Sequence, residues 1–251
     1  MNHERRNSIL ELINKNNTVT NGELISTFGI SIETVRRDLA YLENAGLIQR
    51  VYGGAVKKGY IKTEPSYLNR EKDNVKEKEL IALEAESFIS ASDSVFFDLG
   101  TTALFVARAV DVNKNITSFT NSLRTAIELS DKGVNVVVPG GELRKGEYSV
   151  YGSLAENNMK NFNVDKAIIG AGGITENGVT DFIIEEAGLR SQIIKNAREV
   201  IVVADYSKFN IRAICNVCNI EDVNVLITDS KAPKNVLDKI RNKGVKVIVV
   251  K

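Results

Sequence analysis

Residues 18–55, TVTNGELISTFGISIETVRRDLAYLENAGLIQRVYGGA, contain the pattern that decides the fold of the N-terminal part. The apolar residues of NGELISTF have the spacing of a short amphipathic helix, which Gly29 would end. Ser31 follows as a good N-cap for a second helix that runs to about Asn44, because its hydroxyl can accept a free backbone N–H. Another amphipathic helix is predicted over 3–15. Two helices joined by a tight glycine turn are typical of a helix-turn-helix.

The second helix places its apolar and its basic residues on different faces. At about 100° per residue, four apolar residues form one stripe that packs inward, namely Ile32, Val35, Leu39 and Leu42. Arg37 lies nearly opposite that stripe. A helix that exposes Arg and Thr near its first turn fits the major groove, where Arg can bond guanine and Thr can contact a phosphate or a thymine methyl. We therefore predict that this helix contacts DNA through Ser31, Glu33, Thr34, Arg36, Arg37 and Tyr41.

A small basic hairpin is predicted directly after the second helix. The segment LIQRVYGGAVKK, residues 47–58, alternates apolar and polar residues and then turns at Gly53-Gly54. Arg50 and Lys57 would lie on this hairpin, where they can meet DNA phosphates. A single arginine pair is most often a solvated helix face. Here the glycine turn, the inward stripe, the exposed Arg37 and the basic hairpin follow in the order of a winged helix, which favours binding to double-stranded DNA.

Composition limits the classes of protein to which the chain can belong. Its 251 residues are 43% hydrophobic and 26% charged, which suits a globular protein of one large domain or of a small and a larger one. No apolar run approaches the ~18 residues that span a bilayer, and the start MNHERRNSIL lacks the apolar core of a signal peptide. We therefore expect a cytoplasmic protein with no membrane partner. Because the net charge is only +1, the DNA-binding prediction depends on where the charges lie and not on their sum.

The rest of the sequence alternates β-branched runs with helical stretches. This alternation predicts βαβ units and a mostly parallel sheet covered by helices on both faces. The seven predicted strands are SVFFD (94–98), ITSFT (116–120), VNVVVP (134–139), DKAIIGA (165–171), EVIVVAD (199–205), NVLITD (224–229) and VKVIVV (245–250). The predicted organisation is a winged helix-turn-helix domain over 1–58, a linker over 59–75 that runs into a charged helix from about 68 to 89, and an α/β domain over 76–251.

The ends of these strands carry small, hydroxylated or charged residues. Ligands of open α/β sheets bind outside the carboxyl ends of the strands, where glycine admits a ligand to the backbone and helix N-termini supply free N–H groups suited to phosphate. We expect a phosphate at Gly100-Thr101-Thr102, with Asn121 holding a hydroxyl and Lys208 neutralising charge. The other candidate ligand-binding residues at strand ends are Ser122, Gly140, Gly141, Arg144, Gly172 and Gly173. The sequence has neither a G-x-G-x-x-G nor a G-x-x-x-x-G-K-[ST] motif, so dinucleotide and nucleoside triphosphate sites are disfavoured and no cofactor is predicted.

Cys215 and Cys218 form a single CNVC motif. Zinc needs about four ligands, and the one histidine of the sequence, His3, is far away along the chain. A redox pair usually opens a helix after a strand, whereas these cysteines lie in predicted loop or strand. The pattern favours two reduced structural thiols, and no metal site is predicted.

Both parts of the sequence resemble one family. Residues 18–55 look like the N-terminal signature of the DeoR-type bacterial repressors of sugar metabolism, whose recognition helix contains S-x-x-T-[VI]-R-R-D-L. Tyr52 stands where the family's wing usually has His, and it joins the candidate DNA-contacting residues. The segments DLGTT, TNS, GGELR, GVTDFIIEEAGLRSQIIKNA and VVADYSKF resemble the family's effector domain, which is similar to the ribose-5-phosphate isomerase and glucosamine-6-phosphate deaminase folds. The tract Glu142–Gly152 is less regular than the family pattern.

The resemblance implies a transcriptional regulator with operator DNA and a phosphorylated sugar as its partners. It also implies effector binding in the α/β domain and adds Asp98 and Glu185 to the candidate effector-binding residues. Because one winged helix offers little contact area and operators are often symmetric, we expect a homo-oligomer, a dimer or a tetramer. Repression is the expected activity, and activation stays open.

A sugar-phosphate isomerase or deaminase with an accessory DNA-binding domain is the alternative. Such an enzyme needs a positioned base, and without a nearby histidine the candidates are Asp98, Asp181, Glu185 and Glu186. Glu185 and Glu186 are adjacent on a helix, so at most one of them faces a pocket. The isomerase resemblance places an acidic cluster where this chain has Gly170-Ala171-Gly172-Gly173, so we expect a binding domain without catalytic residues.

Overall fold

The chain is divided into two units in the computed structural model, which describes residues 2–16, 18–51, 54–57 and 64–251. One unit comprises Met1–Lys62 and Asn210–Arg212, and the other comprises Thr63–Phe209 and Ala213–Lys251. Among the described residues, no helix is long and apolar enough to cross a membrane.

The first unit combines three helices with a small antiparallel sheet. Its elements are α1 (Asn2–Asn16), β1 (Thr18–Thr20), α2 (Asn21–Phe28), α3 (Ile32–Asn44), β2 (Ile48–Val51) and β3 (Gly54–Lys57). The predicted helices, glycine turn and hairpin are confirmed. The sequence did not predict β1, which pairs with β3 and gives the strand order β1-β3-β2.

Local capping fixes where α2 and α3 begin and end. The Thr20 hydroxyl accepts a hydrogen bond from the Glu23 N–H at 3.1 Å, and the Glu23 carboxylate accepts one from the Thr20 N–H at 2.6 Å, which forms a capping box. α2 ends at Gly29, whose φ of 61° lies in the left-handed region that favours glycine. The Ser31 hydroxyl accepts from the Thr34 N–H at 3.3 Å, so the predicted cap of α3 is confirmed.

The core of this unit is formed by the inward faces of the helices and the sheet. Val35, Leu39 and Leu42 of the predicted stripe are buried, whereas Ile32 at the start of α3 is only partly buried. Their buried neighbours are Ile9, Ile13, Val19, Leu24, Ile48 and Ala55.

The second unit is an α/β domain. Its helices are α4 (Tyr67–Lys72), α5 (Val75–Glu86), α6 (Thr101–Ala109), α7 (Leu123–Asp131), α8 (Ser153–Met159), α9 (Ile184–Asn196) and α10 (Lys234–Asn242). Its strands are β4 (Ser94–Phe97), β5 (Thr117–Thr120), β6 (Asn135–Val137), β7 (Glu142–Arg144), β8 (Ser149–Tyr151), β9 (Val164–Ile169), β10 (Gly173–Thr175), β11 (Gly178–Asp181), β12 (Ala197–Val203), β13 (Cys215–Asn219), β14 (Val225–Asp229) and β15 (Lys246–Val250).

Seven of these strands form one parallel sheet in the order β15-β14-β12-β9-β4-β5-β6. Each corresponds to one of the seven predicted strands, so the predicted α/β architecture is confirmed. Neighbouring side chains on a strand point to opposite faces: Phe96 packs in the apolar cluster that includes α9 and α10, and Phe97 packs in the one that includes α5 and α6. Phe97 is in register with Thr120 and Ile168, so β4, β5 and β9 bring their carboxyl ends to the same edge.

The predicted linker is partly replaced by helix. Instead of one charged helix from about 68 to 89, the chain forms α4 and α5, which meet at Asn74 in the left-handed conformation (φ 53°). Arg70 of α4 is buried, so residues 64–75 belong to the second unit and the linker prediction is corrected there. Residues 58–63 lie outside the described residues.

Candidate DNA-binding surface and effector site

The predicted DNA-contacting face of α3 is accessible. Glu33, Arg36 and Arg37 are exposed, Tyr41 is half exposed, and Thr34 is partly buried beside the cap formed by Ser31. Lys57 is exposed at the end of β3, whereas Tyr52 and Lys58 lie outside the described residues. The helix therefore presents its arginines to solvent while its opposite face packs in the core.

Asp38 is a buried acidic residue on α3 that the sequence analysis missed. Only 1% of it is exposed, and its two carboxylate oxygens accept hydrogen bonds from Arg5 at 2.7 Å and Arg6 at 2.8 Å, both on α1. Burial alone would raise the pKa of Asp38, but the hydrogen bonds and charges of the two arginines outweigh it and hold the pKa below the usual value. The sequence carried a partial signal, because Asp38 lies at the border of the inward stripe, where a charged residue that becomes buried needs a partner.

Two of the predicted DNA contacts also hold this unit together. The guanidinium of Arg6 lies over the ring of Tyr41 at 4.0 Å from its centre. The backbone N–H of Arg50 donates to the Glu43 carboxylate at 2.9 Å, and the Arg50 side chain lies 3.7 Å from the same carboxylate. Tyr41 and Arg50 therefore stabilise α3 whether or not they also touch DNA.

At the carboxyl edge of the parallel sheet, Asp98 is engaged within the protein. Its carboxylate is fully buried and accepts hydrogen bonds from the N–H groups of Leu99 (2.8 Å) and Gly170 (2.9 Å) and from Arg190 (2.9 Å). Arg190 also pairs with the buried Asp181. Asp98 thus positions Arg190 and the turn after β9, and its predicted contact with an effector stays a prediction.

The helix N-terminus at Gly100 has the features expected of a phosphate site. Gly100 caps α6, which begins at Thr101. Thr101 and Thr102 are buried, and the first N–H groups of the helix have no partner within it. The Thr101 hydroxyl lies 3.5 Å from the carbonyl oxygen of Arg70, which places α4 beside this terminus.

The next strand end, between β5 and α7, contains unpaired buried polar atoms. Asn121 is fully buried; its amide N–H donates to the Val150 carbonyl at 3.4 Å, and its Oδ1 has no partner. Ser122 caps α7 by accepting from the Thr125 N–H at 3.2 Å. Thr125 is also fully buried, with its hydroxyl oxygen unpaired. Ser122 is thus used in the helix cap, and Asn121 retains a free acceptor.

Two arginines at this edge are neutralised by carboxylates. Arg70 pairs with Glu64 at 3.0 Å and with Glu147. Arg144, one of the predicted effector contacts, pairs with Glu64 at 3.3 Å and with Glu186 at 2.8 Å. These five residues form one ion-pair network in which each arginine has two carboxylate partners.

Of the adjacent pair at the start of α9, Glu186 and not Glu185 faces inward. Glu186 is buried and accepts from the Ser149 hydroxyl at 2.5 Å, and burial raises its pKa. Glu185 is exposed, and its binding to an effector stays a prediction. Only one of the two faces inward, since adjacent helical residues point about 100° apart.

Lys208 is a partly buried cation in a short 3-10 turn after β12. It forms no ion pair within the described residues, and burial lowers its pKa. A second lysine, Lys78 of α5, was not predicted: it is buried, donates to the carbonyl oxygens of Arg70 and Asp73, and has its pKa lowered to about 8, chiefly by burial. Lys208 is therefore a lysine at the edge of the sheet without a salt bridge among the described residues, and the charge of Asp205 partly offsets the effect of burial on its pKa.

The four other predicted glycines have structural explanations. Gly140 and Gly141 have φ of 72° and 127°, and a Cβ on Gly141 would strike the Tyr151 carbonyl. Gly172 donates to the Thr180 carbonyl at 3.1 Å, and Gly173 pairs with Thr180 in the β10–β11 ladder. Gly172 and Gly173 therefore pack against β11, and their contact with an effector stays a prediction.

Cys215 and Cys218 both lie in β13 and are free thiols. Burial raises the pKa of Cys218 to about 12, so this thiol is protonated at neutral pH, as expected of a structural cysteine. Within the described part of the chain, no group of three or more His, Cys, Asp or Glu residues is placed to hold a metal ion.

Comparison with known proteins identifies both units. A family described as the DeoR-like helix-turn-helix domain matches residues 5–58, and the DeoR C terminal sensor domain matches residues 73–230. The HTH-type transcriptional regulator GolR of Listeria innocua is 33% identical over 97% of each chain. The Glycerol-3-phosphate regulon repressor of Escherichia coli is 33% identical over 93% of each chain. Among solved structures, a ribose 5-phosphate isomerase A from Methanocaldococcus jannaschii aligns with 55% of each chain at 18% identity and a TM-score of 0.40.

Proposed function

The chain belongs to the DeoR-type family of transcriptional regulators, and from this premise we propose that it represses a carbohydrate-utilisation operon and releases its operator when a phosphorylated sugar binds. As a member of this family it is a DNA-binding regulator and not an enzyme. A putative aga operon transcriptional repressor of Escherichia coli is 32% identical over 98% of this chain, which supports a role in carbohydrate regulation.

DNA binding is assigned to residues 1–58. The accessible face of α3, with Arg36 and Arg37, would enter the major groove, and Lys57 on β3 would meet phosphates. The contact area of one such domain is small, so we propose a dimer or tetramer on a repeated or palindromic operator, in the cytoplasm. Effector binding and oligomerisation are assigned to the second unit.

The effector phosphate is assigned to the start of α6. The observation that carries this assignment is the unpaired Lys208 at the same sheet edge as a glycine-capped helix N-terminus. Free N–H groups and the positive end of the helix dipole favour an anion there, and a lysine supplies the matching charge. The unpaired Oδ1 of Asn121 would accept a hydrogen bond from a sugar hydroxyl.

A thermal-shift screen of sugar phosphates, repeated as release from operator DNA, tests the proposal. We expect at least one sugar phosphate to raise the melting temperature and to release DNA, while its unphosphorylated sugar does neither. A protein that no sugar phosphate stabilises, or that is stabilised without releasing DNA, would contradict it. Inorganic phosphate is the control for a response to the anion alone.

A further inference from the structure

Buried polar atoms without partners are concentrated at the start of α7. In the described part of the chain five side chains have such an atom, and four of them are Tyr67, Asn121, Arg124 and Thr125. The fifth is Thr228 at the end of β14. Buried polar atoms are nearly always hydrogen-bonded in native proteins, and leaving one unpaired costs about 1–3 kcal/mol. A cluster of four such atoms therefore indicates a place that a polar partner occupies, either water or a ligand.

Arg124 lies in this cluster between two tyrosine rings. Its guanidinium carbon is 4.3 Å from the ring centre of Tyr67 and 4.8 Å from that of Tyr148. Its Nε is buried without a hydrogen-bond partner, and Arg124 forms no ion pair with any residue that the structure describes. Arg70, Arg144 and Arg190, by contrast, make salt bridges with two carboxylates each.

This arrangement suits the recognition of an anion. Contacts with aromatic rings stabilise a guanidinium through its faces and leave its edge, with the N–H donors, for other partners. Carboxylate and phosphate groups can each bind such an edge through two of their oxygens, with two parallel hydrogen bonds. The free acceptor of Asn121, three residues before Arg124, can hold a hydroxyl of the same ligand.

The backbone at Tyr148 supports a functional role. Tyr148 has φ 58°, in the left-handed region that residues other than glycine rarely adopt. Such conformations cost about 1–3 kcal/mol and concentrate at ligand sites, where the surrounding structure holds them. Here the turn is held by its neighbour Glu147, whose carboxylate pairs with Arg70, and by the Tyr148 carbonyl, which accepts from the Leu123 N–H at 2.9 Å.

Arg124 is connected to the proposed phosphate site through α4. The ring of Tyr67 contacts Arg124, and the guanidinium carbon of Arg70 lies 5.5 Å from the centre of the same ring. The carbonyl oxygen of Arg70 in turn lies 3.5 Å from the Thr101 hydroxyl at the start of α6. The two helix N-termini, at α6 and α7, therefore share α4 as a common neighbour.

We propose that Arg124 is a second anion-binding residue of the effector site, so that the effector carries a second acidic group besides its phosphate. The ligand class is a sugar bisphosphate or a phosphorylated sugar acid. This proposal depends on the proposed function, because it assumes that the first phosphate binds at α6.

Isothermal titration calorimetry with matched ligand pairs tests the proposal. The pairs are fructose 6-phosphate with fructose 1,6-bisphosphate, and glucose 6-phosphate with 6-phosphogluconate. We expect the wild-type protein to bind a doubly anionic member at least about tenfold more tightly than its partner, as a bidentate, charge-assisted contact allows. The preferred pair identifies the second group as a phosphate or a carboxylate.

Arg124→Gln should remove this preference and keep the binding of the monophosphate. Arg198→Gln is the matched control, because it removes the same charge from an 84% exposed side chain on β12 and should keep the preference. If Arg124→Gln does not fold, Tyr148→Ala tests the proposal instead. Loss of the half-exposed ring removes one of the contacts that hold the Arg124 guanidinium and should weaken the preference. Tyr148→Phe keeps the ring and should keep the preference. Equal binding of both members of each pair by wild type, or an unchanged preference in the variants, overturns the proposal and leaves the proposed function standing. A protein that binds no member of the panel overturns this proposal, and the screen of sugar phosphates then decides the proposed function.

Discussion

Thr102→Asp should produce a repressor that binds its operator but no longer responds to its effector. Thr102 lies in the first turn of α6, where the phosphate is assigned, and only 6% of it is exposed. A carboxylate about 5 Å from the phosphate would repel it by about 3 kcal/mol per unit charge at an effective dielectric constant of ~20. That corresponds to a loss of effector affinity of at least about 100-fold.

The effect on DNA release follows from linkage. The loss of DNA affinity that an effector can cause is limited by how much more tightly it binds the form of the protein that does not bind DNA. A tenfold loss of DNA affinity requires a difference of about 1.4 kcal/mol in the free energy of effector binding. Because the substitution should weaken effector binding at least about 100-fold, the variant should stay on the operator at effector concentrations that release the wild type. α3 lies in the other unit, so operator affinity without effector should be unchanged.

Fluorescence anisotropy of labelled operator DNA measures the operator affinity without effector. Titration of the complex with the sugar phosphate found in the screen then measures the effector concentration that releases DNA. Thr102→Asn is the matched control, because it has nearly the size of the Asp variant without the charge and should keep most of the response. The Asp variant should fold, since an acidic residue in the first turn of a helix interacts favourably with the helix dipole. If it releases DNA at the wild-type effector concentration, the phosphate does not bind at α6.

Three further predictions concern DNA binding, stability and catalysis. Arg37→Ala should cost about 1–3 kcal/mol of operator affinity and relax base preference, whereas Lys57→Ala should weaken binding to all sequences and lower the salt slope by about one; wild-type affinity in Arg37→Ala would show that the face of α3 is assigned wrongly. Asp38→Asn should destabilise the first unit by about 3 kcal/mol in urea unfolding, because Arg5 and Arg6 lose a buried partner, whereas the exposed Glu33→Gln should change little. Since the pKa of Asp38 is depressed in the folded protein, its contribution should be present at neutral pH and lost as the pH falls below about 4. Ribose 5-phosphate, fructose phosphates and glucosamine 6-phosphate should remain unchanged on incubation with the protein; conversion that disappears in Glu185→Gln or Asp98→Asn would establish an enzyme.

The sequence was sufficient for the elements that local patterns specify. A buried parallel strand is a continuous β-branched run, and all seven strands of the large sheet are runs of this kind. The helix-turn-helix is likewise specified by residues that are close together in sequence, namely the Thr20 capping box, Gly29 and the Ser31 cap. The β2–β3 hairpin was predicted from the turn that joins its strands, whereas β1 and the β10-β11-β13 sheet were not predicted. Those strands are three to five residues long, and β1 and β13 pair with segments that are far away in the sequence.

The candidate site could be predicted only in part, because its ion pairs join residues that are far apart in sequence. Asp98 and Arg190 are 92 positions apart, and Arg70 and Glu147 are 77 positions apart. Motifs indicated which residues lie at the strand ends, but not which carboxylates are already neutralised. Arg124 and Tyr148 belong to no motif, and their arrangement depends on how the β7–β8 turn folds over α7.

The distribution of charge at the edge of the sheet suits the proposed role of this domain, which is to bind a sugar phosphate without converting it. Asp98 and Asp181 are both engaged by Arg190, and Glu186 is held by Arg144 and Ser149, so these carboxylates position side chains and are not free to accept a proton from a substrate. Lys208 and Arg124, by contrast, have no carboxylate partner among the described residues, and they are the cations left for an anion from solution. A site in which these three acids are occupied and two cations form no salt bridge gains free energy when an anionic ligand enters. This is what an effector site requires, because only reversible, differential binding can shift the protein between its DNA-bound and its released form.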